Sequence, residues 1–103
     1  MSYYETYTAC IFQPILKWAY KREDIAENLE KYLGIMDGCM RRFGEVAAPL
    51  KLFAFPEFFL QGFTTRHDID MDYYRREILI TLPGKESDAL AQKARELDVY
   101  ISG

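Results

Sequence analysis

An α/β fold with a mostly parallel sheet is predicted for this 103-residue chain by three features. Short β-rich runs alternate with helical segments in the order strand, helix, strand, short helix, helix, strand. The run Leu52-Phe53-Ala54-Phe55 is apolar at every position, which predicts burial on both faces, as in a parallel sheet under helices. Right-handed crossovers then lay the helices over the sheet.

The elements follow in order. Thr6 to Gln13 (TYTACIFQ) is rich in Thr, Ile and aromatics and is stopped by Pro14, which predicts a strand. A loop runs on through Trp18 and Tyr20. Asp24 to about Phe43 is predicted as a long helix, because Ile25, Leu29, Tyr32, Leu33, Met36, Met40 and Phe43 fall on one stripe. Glu23, Asp24 and Glu27 at its start and Arg41 and Arg42 at its end complement the helix dipole, and Gly44 is placed to cap it. Gly34 and Gly38 share a face and predict close packing on the sheet. A second strand spans Lys51 to Phe55, followed by a loop from Pro56 to about Asp68 that contains Gly62. A short helix is expected over Met71 to Ile80, then a turn at Pro83-Gly84. A helix from Glu86 to Leu97, with Leu90, Ala94 and Leu97 inward, leads to a third strand from Val99 to Ser102.

The length fits about one domain. Half the residues are hydrophobic and 28% are charged, a balance that fits a globular chain. The net charge of −3 argues against a nucleic-acid partner, which calls for a basic footprint. The doublets Lys21-Arg22, Arg41-Arg42 and Arg75-Arg76 lie near acids and are expected on solvated faces. No apolar run approaches the roughly 20 residues of a membrane span, so no membrane partner is expected. The start, MSYYETYTACIF, has no basic region before its apolar stretch and does not resemble a secretory signal. Cys10 and Cys39 do not amount to a disulfide framework, and a reducing cytoplasm is the default expectation.

Several motifs fail on inspection. Asp68 to Asp72 (DIDMD) imitates a calcium loop, but Tyr73 and Leu79 stand where Gly and Glu are needed. His67, the single histidine, cannot by itself build a zinc site. The stretch after the first strand, FQPIL, lacks the glycines of a dinucleotide fingerprint. Cys10 within a strand and Cys39 near the end of a helix are expected to pack rather than react, since reactive thiolates favour electropositive settings. No metal or cofactor is therefore expected.

Glu57 is the residue that stands out. It is the lone charge in Leu52 to Phe63 (LFAFPEFFLQGF), directly after Pro56. Ligands of open α/β sheets bind beyond the carboxyl ends of strands, which is where Glu57 falls. Phe55, Phe58, Phe59 and Phe63 are expected to form an apolar wall, which raises a carboxylate's pKa toward that of a general base. The plainer alternative is a glutamate that turns out to solvent.

Phe55-Pro56-Glu57 followed by Gly62-Phe63 resembles the first catalytic motif of the carbon–nitrogen hydrolases, the nitrilase superfamily. Ala9-Cys10-Ile11-Phe12-Gln13 is similar to the family's first strand, and Leu82-Pro83-Gly84 and Asp98 to Gly103 resemble its next segment. The resemblance covers essentially the whole chain and implies the N-terminal β-α-β-α-β part of a nitrilase-like αββα sandwich. It implies a Glu-Lys-Cys triad that hydrolyses a small-molecule amide, carbamoyl or nitrile without cofactor. Glu57 would be the general base, and Phe58 and Phe63 would touch substrate. A homo-oligomer is also implied.

The departures are specific. Neither Cys10 nor Cys39 matches the nucleophile's motif, and neither Lys51 nor Lys85 matches that of the lysine. The family's Gly-Tyr is Gly62-Phe63 here. The expectation is an incomplete domain, inactive by itself and active only as part of a longer protein. The alternative is a non-catalytic α/β interaction module or degenerate remnant.

Overall fold

The structure, a computed structural model, describes residues 6–44, 48–62 and 69–103. Strands β1 (Thr8–Ile11), β2 (Leu50–Ala54) and β3 (Tyr100–Ser102) form one parallel sheet in the order β1-β2-β3. Helix α1 (Arg22–Phe43) joins β1 to β2. Helices α2 (Met71–Glu77) and α3 (Lys85–Leu97) lie between β2 and β3. The chain is thus a small α/β domain.

Both crossovers step the same way across the sheet, so right-handed connections put α1 and α3 on one face. Lys93 of α3 accordingly reaches Asp37 of α1 at 3.0 Å. Asp37 pulls the Lys93 pKa up, with further help from Glu96.

The register aligns Cys10, Phe53 and Ile101 beneath the helices. Phe53 is fully buried there, with Ile25, Leu29, Tyr32 and Met36 of α1 in the same core. The next residues in register, Ile11, Ala54 and Ser102, face the other way, and Ile11 is 75% exposed. The expectation of burial on both faces of β2 is therefore corrected. Phe53 and Phe55 are buried, whereas Leu52 and Ala54 are only half-buried, because both described crossover helices cover the same side.

Other boundaries shift by a few residues. α1 starts at Arg22, ahead of Asp24, because Asp24 works as a cap: its Oδ2 accepts from the backbone N–H groups of Tyr20 and Lys21. α2 ends at Glu77, short of Ile80. Gly44 closes α1 in right-handed geometry, its N–H donating to the Met40 carbonyl, so no left-handed cap forms. The packing role expected of Gly34 and Gly38 is not found. A Cβ at Gly34 would meet nothing within 4 Å, and one at Gly38 only the Arg41 side chain. Arg22 departs from the solvated-face expectation. Its Nη2 donates to the carbonyls of Arg76 and Leu79, and its Nη1 lies 3.8 Å from the buried Glu86, tying the start of α1 to α2 and α3. Arg41, Arg42, Arg75 and Arg76 are exposed as expected.

Candidate functional site at the carboxyl end of the sheet

The sheet pairing extends one residue past β1 and β2. Phe12 N donates to Ala54 O at 2.9 Å, and Phe55 N to Ser102 O at 2.8 Å. Pro56 has no N–H to continue the ladder, so the chain turns there. Residues 57–61 form the turn. Phe58 takes left-handed backbone at φ 62°, and the Gly62 N–H closes the turn on the Phe58 carbonyl at 2.7 Å. A non-glycine residue in that region costs on the order of 1 kcal/mol, so the surroundings must hold it. Phe59 and Leu60, both buried, supply that anchorage.

The turn is pressed onto the loop that leaves β1. Gly62 has φ +73°, and a Cβ there would sit 2.6 Å from the Lys17 carbonyl oxygen and 2.7 Å from Trp18 Cα. Ala19 N donates to Gln61 O at 2.8 Å. Asn28 of α1, buried, donates to Leu60 O at 2.8 Å and to Lys17 O at 3.2 Å. One side-chain amide thus clamps both loops. Asn28 was not among the residues singled out from the sequence. Its signal is a polar residue three positions after Ile25 on an otherwise apolar stripe.

Glu57 lies three residues past the end of the central strand and is exposed. The expected apolar wall is not built around it. Phe55 and Phe59 stack on one another at 4.8 Å between centroids, and both meet the Tyr32 ring edge-on, inside the core. The rings that were to enclose the carboxylate instead fill the space under α1. A water-facing carboxylate incurs no penalty of lone burial, so Glu57 needs no buried partner. Phe58 is 40% exposed and remains beside it. Phe63, His67 and Asp68 lie outside the described residues. An apolar groove of about 390 Å³ runs between α3 and β3, lined by Leu90, Ala94, Val99 and Ile101, and it adjoins the turn through Phe59.

Lys51 and the two cysteines are engaged elsewhere in the fold. Lys51 Nζ donates to the backbone oxygen and Oδ2 of Asp98, both at 3.1 Å, where α3 ends in left-handed geometry. Lys85 opens α3 and is exposed. Cys10 and Cys39 are free, half-buried and packed against the core. Burial pushes the Cys10 thiol pKa up, and Cys39 adds to the rise.

Among the described residues, no cluster of three or more His, Cys, Asp or Glu side chains could hold a metal ion. Among them also, no helix is long and apolar enough to cross a membrane. Neither a protein-family model nor a curated protein matches the chain.

Proposed function

We propose that Glu57 is the general base of a carbon–nitrogen hydrolase acting on a small amide, carbamoyl or nitrile. The observation that carries this reading is the position of Glu57 on a tightly held turn at the carboxyl end of the central parallel strand. Parallel α/β sheets bind ligands at that end. Three features support a fixed rather than a wandering carboxylate: the left-handed Phe58, the close approach at Gly62, and the Asn28 clamp. Solvent access suits a base that must take a proton from a thiol and later activate water.

In this reading Glu57 accepts the proton of a cysteine thiol, and the thiolate attacks the amide, carbamoyl or nitrile carbon. A lysine stabilises the oxyanion, ammonia or an amine leaves, and water activated by Glu57 releases the thioester. Cys10 is half-buried and packed against the core and Lys51 is engaged by Asp98, so neither is assigned to these steps. The nucleophile and the lysine come from beyond these 103 residues, as part of a longer protein. The 103-residue chain alone is expected to show no turnover.

The test uses the polypeptide as its native source makes it, with its intact mass measured. It is assayed on short amides, N-carbamoyl amino acids and nitriles. Glu57→Gln should lower turnover by about 10²–10⁴-fold and leave the unfolding midpoint unchanged. Hydrolysis indifferent to Glu57→Gln, or none on any of the three classes, overturns the reading.

A second reading, a non-catalytic interaction module, is favoured by the bare sheet face, where Ile11 is 75% and Tyr100 59% exposed. Sedimentation separates the two. Self-association that is lost in Ile11→Lys, together with an absence of hydrolysis, selects the module.

A further inference from the structure

A pocket of about 180 Å³ lies between the loop that enters α1 and helix α2. Ala19 and Ile78, both buried core residues, line it. Tyr20, Tyr73 and Tyr74 bring three aromatic rings to it, and Asp70 brings a carboxylate. Neither Glu57 nor any other residue of its turn is in this lining. Tyr20 is 49% and Tyr73 38% exposed, so these rings extend the pocket beyond the core instead of completing it. Clustered exposed aromatic surface points to a ligand in a way that single exposed rings do not. The rings are also held. The Tyr73 hydroxyl donates to the Tyr20 carbonyl, which fastens α2 to the loop. The Trp18 ring meets Tyr20 edge-on at 6.2 Å between centroids, and Tyr74 packs against the core.

We propose that this pocket binds a small quaternary ammonium cation: a free, choline-like molecule carrying a trimethylammonium group. Tyrosine rings attract cations electrostatically through the ring quadrupole. A trimethylammonium group presents methyl groups and needs no hydrogen-bond acceptor, so aromatic walls and an apolar floor can satisfy it. A primary ammonium is strongly hydrated and has three protons to place. Asp70 is the one acidic residue among the described residues of the lining, and its Oδ1 already accepts from the Asp72 N–H at 2.9 Å. The pocket therefore offers negative charge but few acceptors. The same carboxylate sets specificity. It attracts the cation and repels a phosphate or carboxylate carried beside it, which disfavours a phosphocholine headgroup or a betaine. One carboxylate among aromatic rings does not serve a calcium or magnesium ion, which needs several oxygen ligands. The volume falls below the roughly 300–1,000 Å³ of pockets for drug-sized ligands, so it suits a cation of a few heavy atoms.

The experiment titrates the full polypeptide, with isotope-labelled tyrosine rings, against three probes. These are choline chloride, ethanolamine hydrochloride, and the neutral analogue of choline with carbon in place of nitrogen. Choline should bind with a Kd on the order of 1–10 mM and shift the ring resonances of Tyr20, Tyr73 and Tyr74. The neutral analogue has the same shape and should bind at least about tenfold more weakly, and ethanolamine about fivefold more weakly. Tyr20→Leu and Tyr73→Leu should each weaken choline binding about 2–5-fold. Asp70→Asn keeps a capping side chain on α2, so the unfolding midpoint should stay close to the parent's. It should nevertheless weaken choline about 2–5-fold at low salt and leave the neutral analogue unaffected. Equal affinity for choline and its neutral analogue overturns the proposal. So does an absence of tyrosine shifts at about 100 mM choline. Binding to phosphatidylcholine vesicles without binding to choline overturns it too. These comparisons use the unmodified protein and decide even where a leucine variant folds poorly. Because Glu57 does not line the pocket, the outcome is independent of the hydrolase reading.

Discussion

The two faces of the sheet contrast sharply. Beneath α1 and α3, Phe53 is fully buried, with Cys10 and Ile101 packed beside it. On the opposite face, Ile11 and Tyr100 stand largely in water although they are comparably apolar. Composition does not separate these residues; coverage does. In a strand the side chains alternate, so a single layer of helices buries every second residue and leaves the rest exposed. Burial on this sheet therefore reports where the crossovers run rather than how hydrophobic the strand is.

The largest break in that contrast is expected from Phe53→Ala, which should cost about 3–5 kcal/mol in urea unfolding through lost transfer energy and an uncollapsed cavity. Because so short a chain has little stability in reserve, the variant should be largely unfolded at 25 °C. A loss below about 1 kcal/mol would mean that the helices do not pack on this face as described.

Asn28→Ala comes next. It strips hydrogen-bond donors from two carbonyls in a buried site and should cost about 2 kcal/mol. Faster amide exchange should be confined to the loops after β1 and β2, which would sharpen the link between the covered face and the turn that carries Glu57. Gly62→Ala should cost at least about 1 kcal/mol, because alanine must adopt positive φ while its Cβ meets the Lys17 carbonyl.

Smaller effects are expected among the charges. Asp37→Asn removes the tie between α1 and α3 and should cost about 0.5–1 kcal/mol, less in high salt. The tie has a pH signature of its own. The Lys93 pKa is raised, so its contribution is complete below the ordinary lysine value and is lost as pH rises through the folded value, above about pH 10. The acid limb belongs in part to Asp24, whose pKa is lowered chiefly by the Tyr20 backbone N–H. Its contribution is present above the ordinary aspartate value and is lost as pH falls through the lowered value, below about pH 4. Asp24→Asn should therefore flatten the acid limb of a melting-temperature profile and leave the alkaline limb unchanged. Smallest of all, Ile11→Ser on the bare face should stay within about 0.5 kcal/mol of the parent. A larger loss would show that this face is covered in solution.

The sequence made the element order legible because period and punctuation are local properties. The stripe of α1 and the stop at Pro14 needed no tertiary information, and the six elements lie where they were expected within a few residues. The position of Glu57 past the second strand was legible for the same reason. Its surroundings were not. Phe55 and Phe59 were assigned to a wall around the carboxylate, yet they stack under Tyr32, because the direction of a side chain after a turn depends on backbone angles that composition does not reveal. Asn28 was overlooked because a polar residue on an apolar stripe acquires its purpose only when distant carbonyls arrive beside it.

What the sequence by itself determined is the alternation of strands and helices and the charges at helix ends, since both follow from interactions among near neighbours along the chain. Only the tertiary structure decided which sheet face is covered, which arginine becomes a tie, and that Asn28 meets the carbonyls of Lys17 and Leu60. Each of these depends on the hand and direction of the crossovers, which juxtapose residues far apart in the chain and let a core position outweigh local preference.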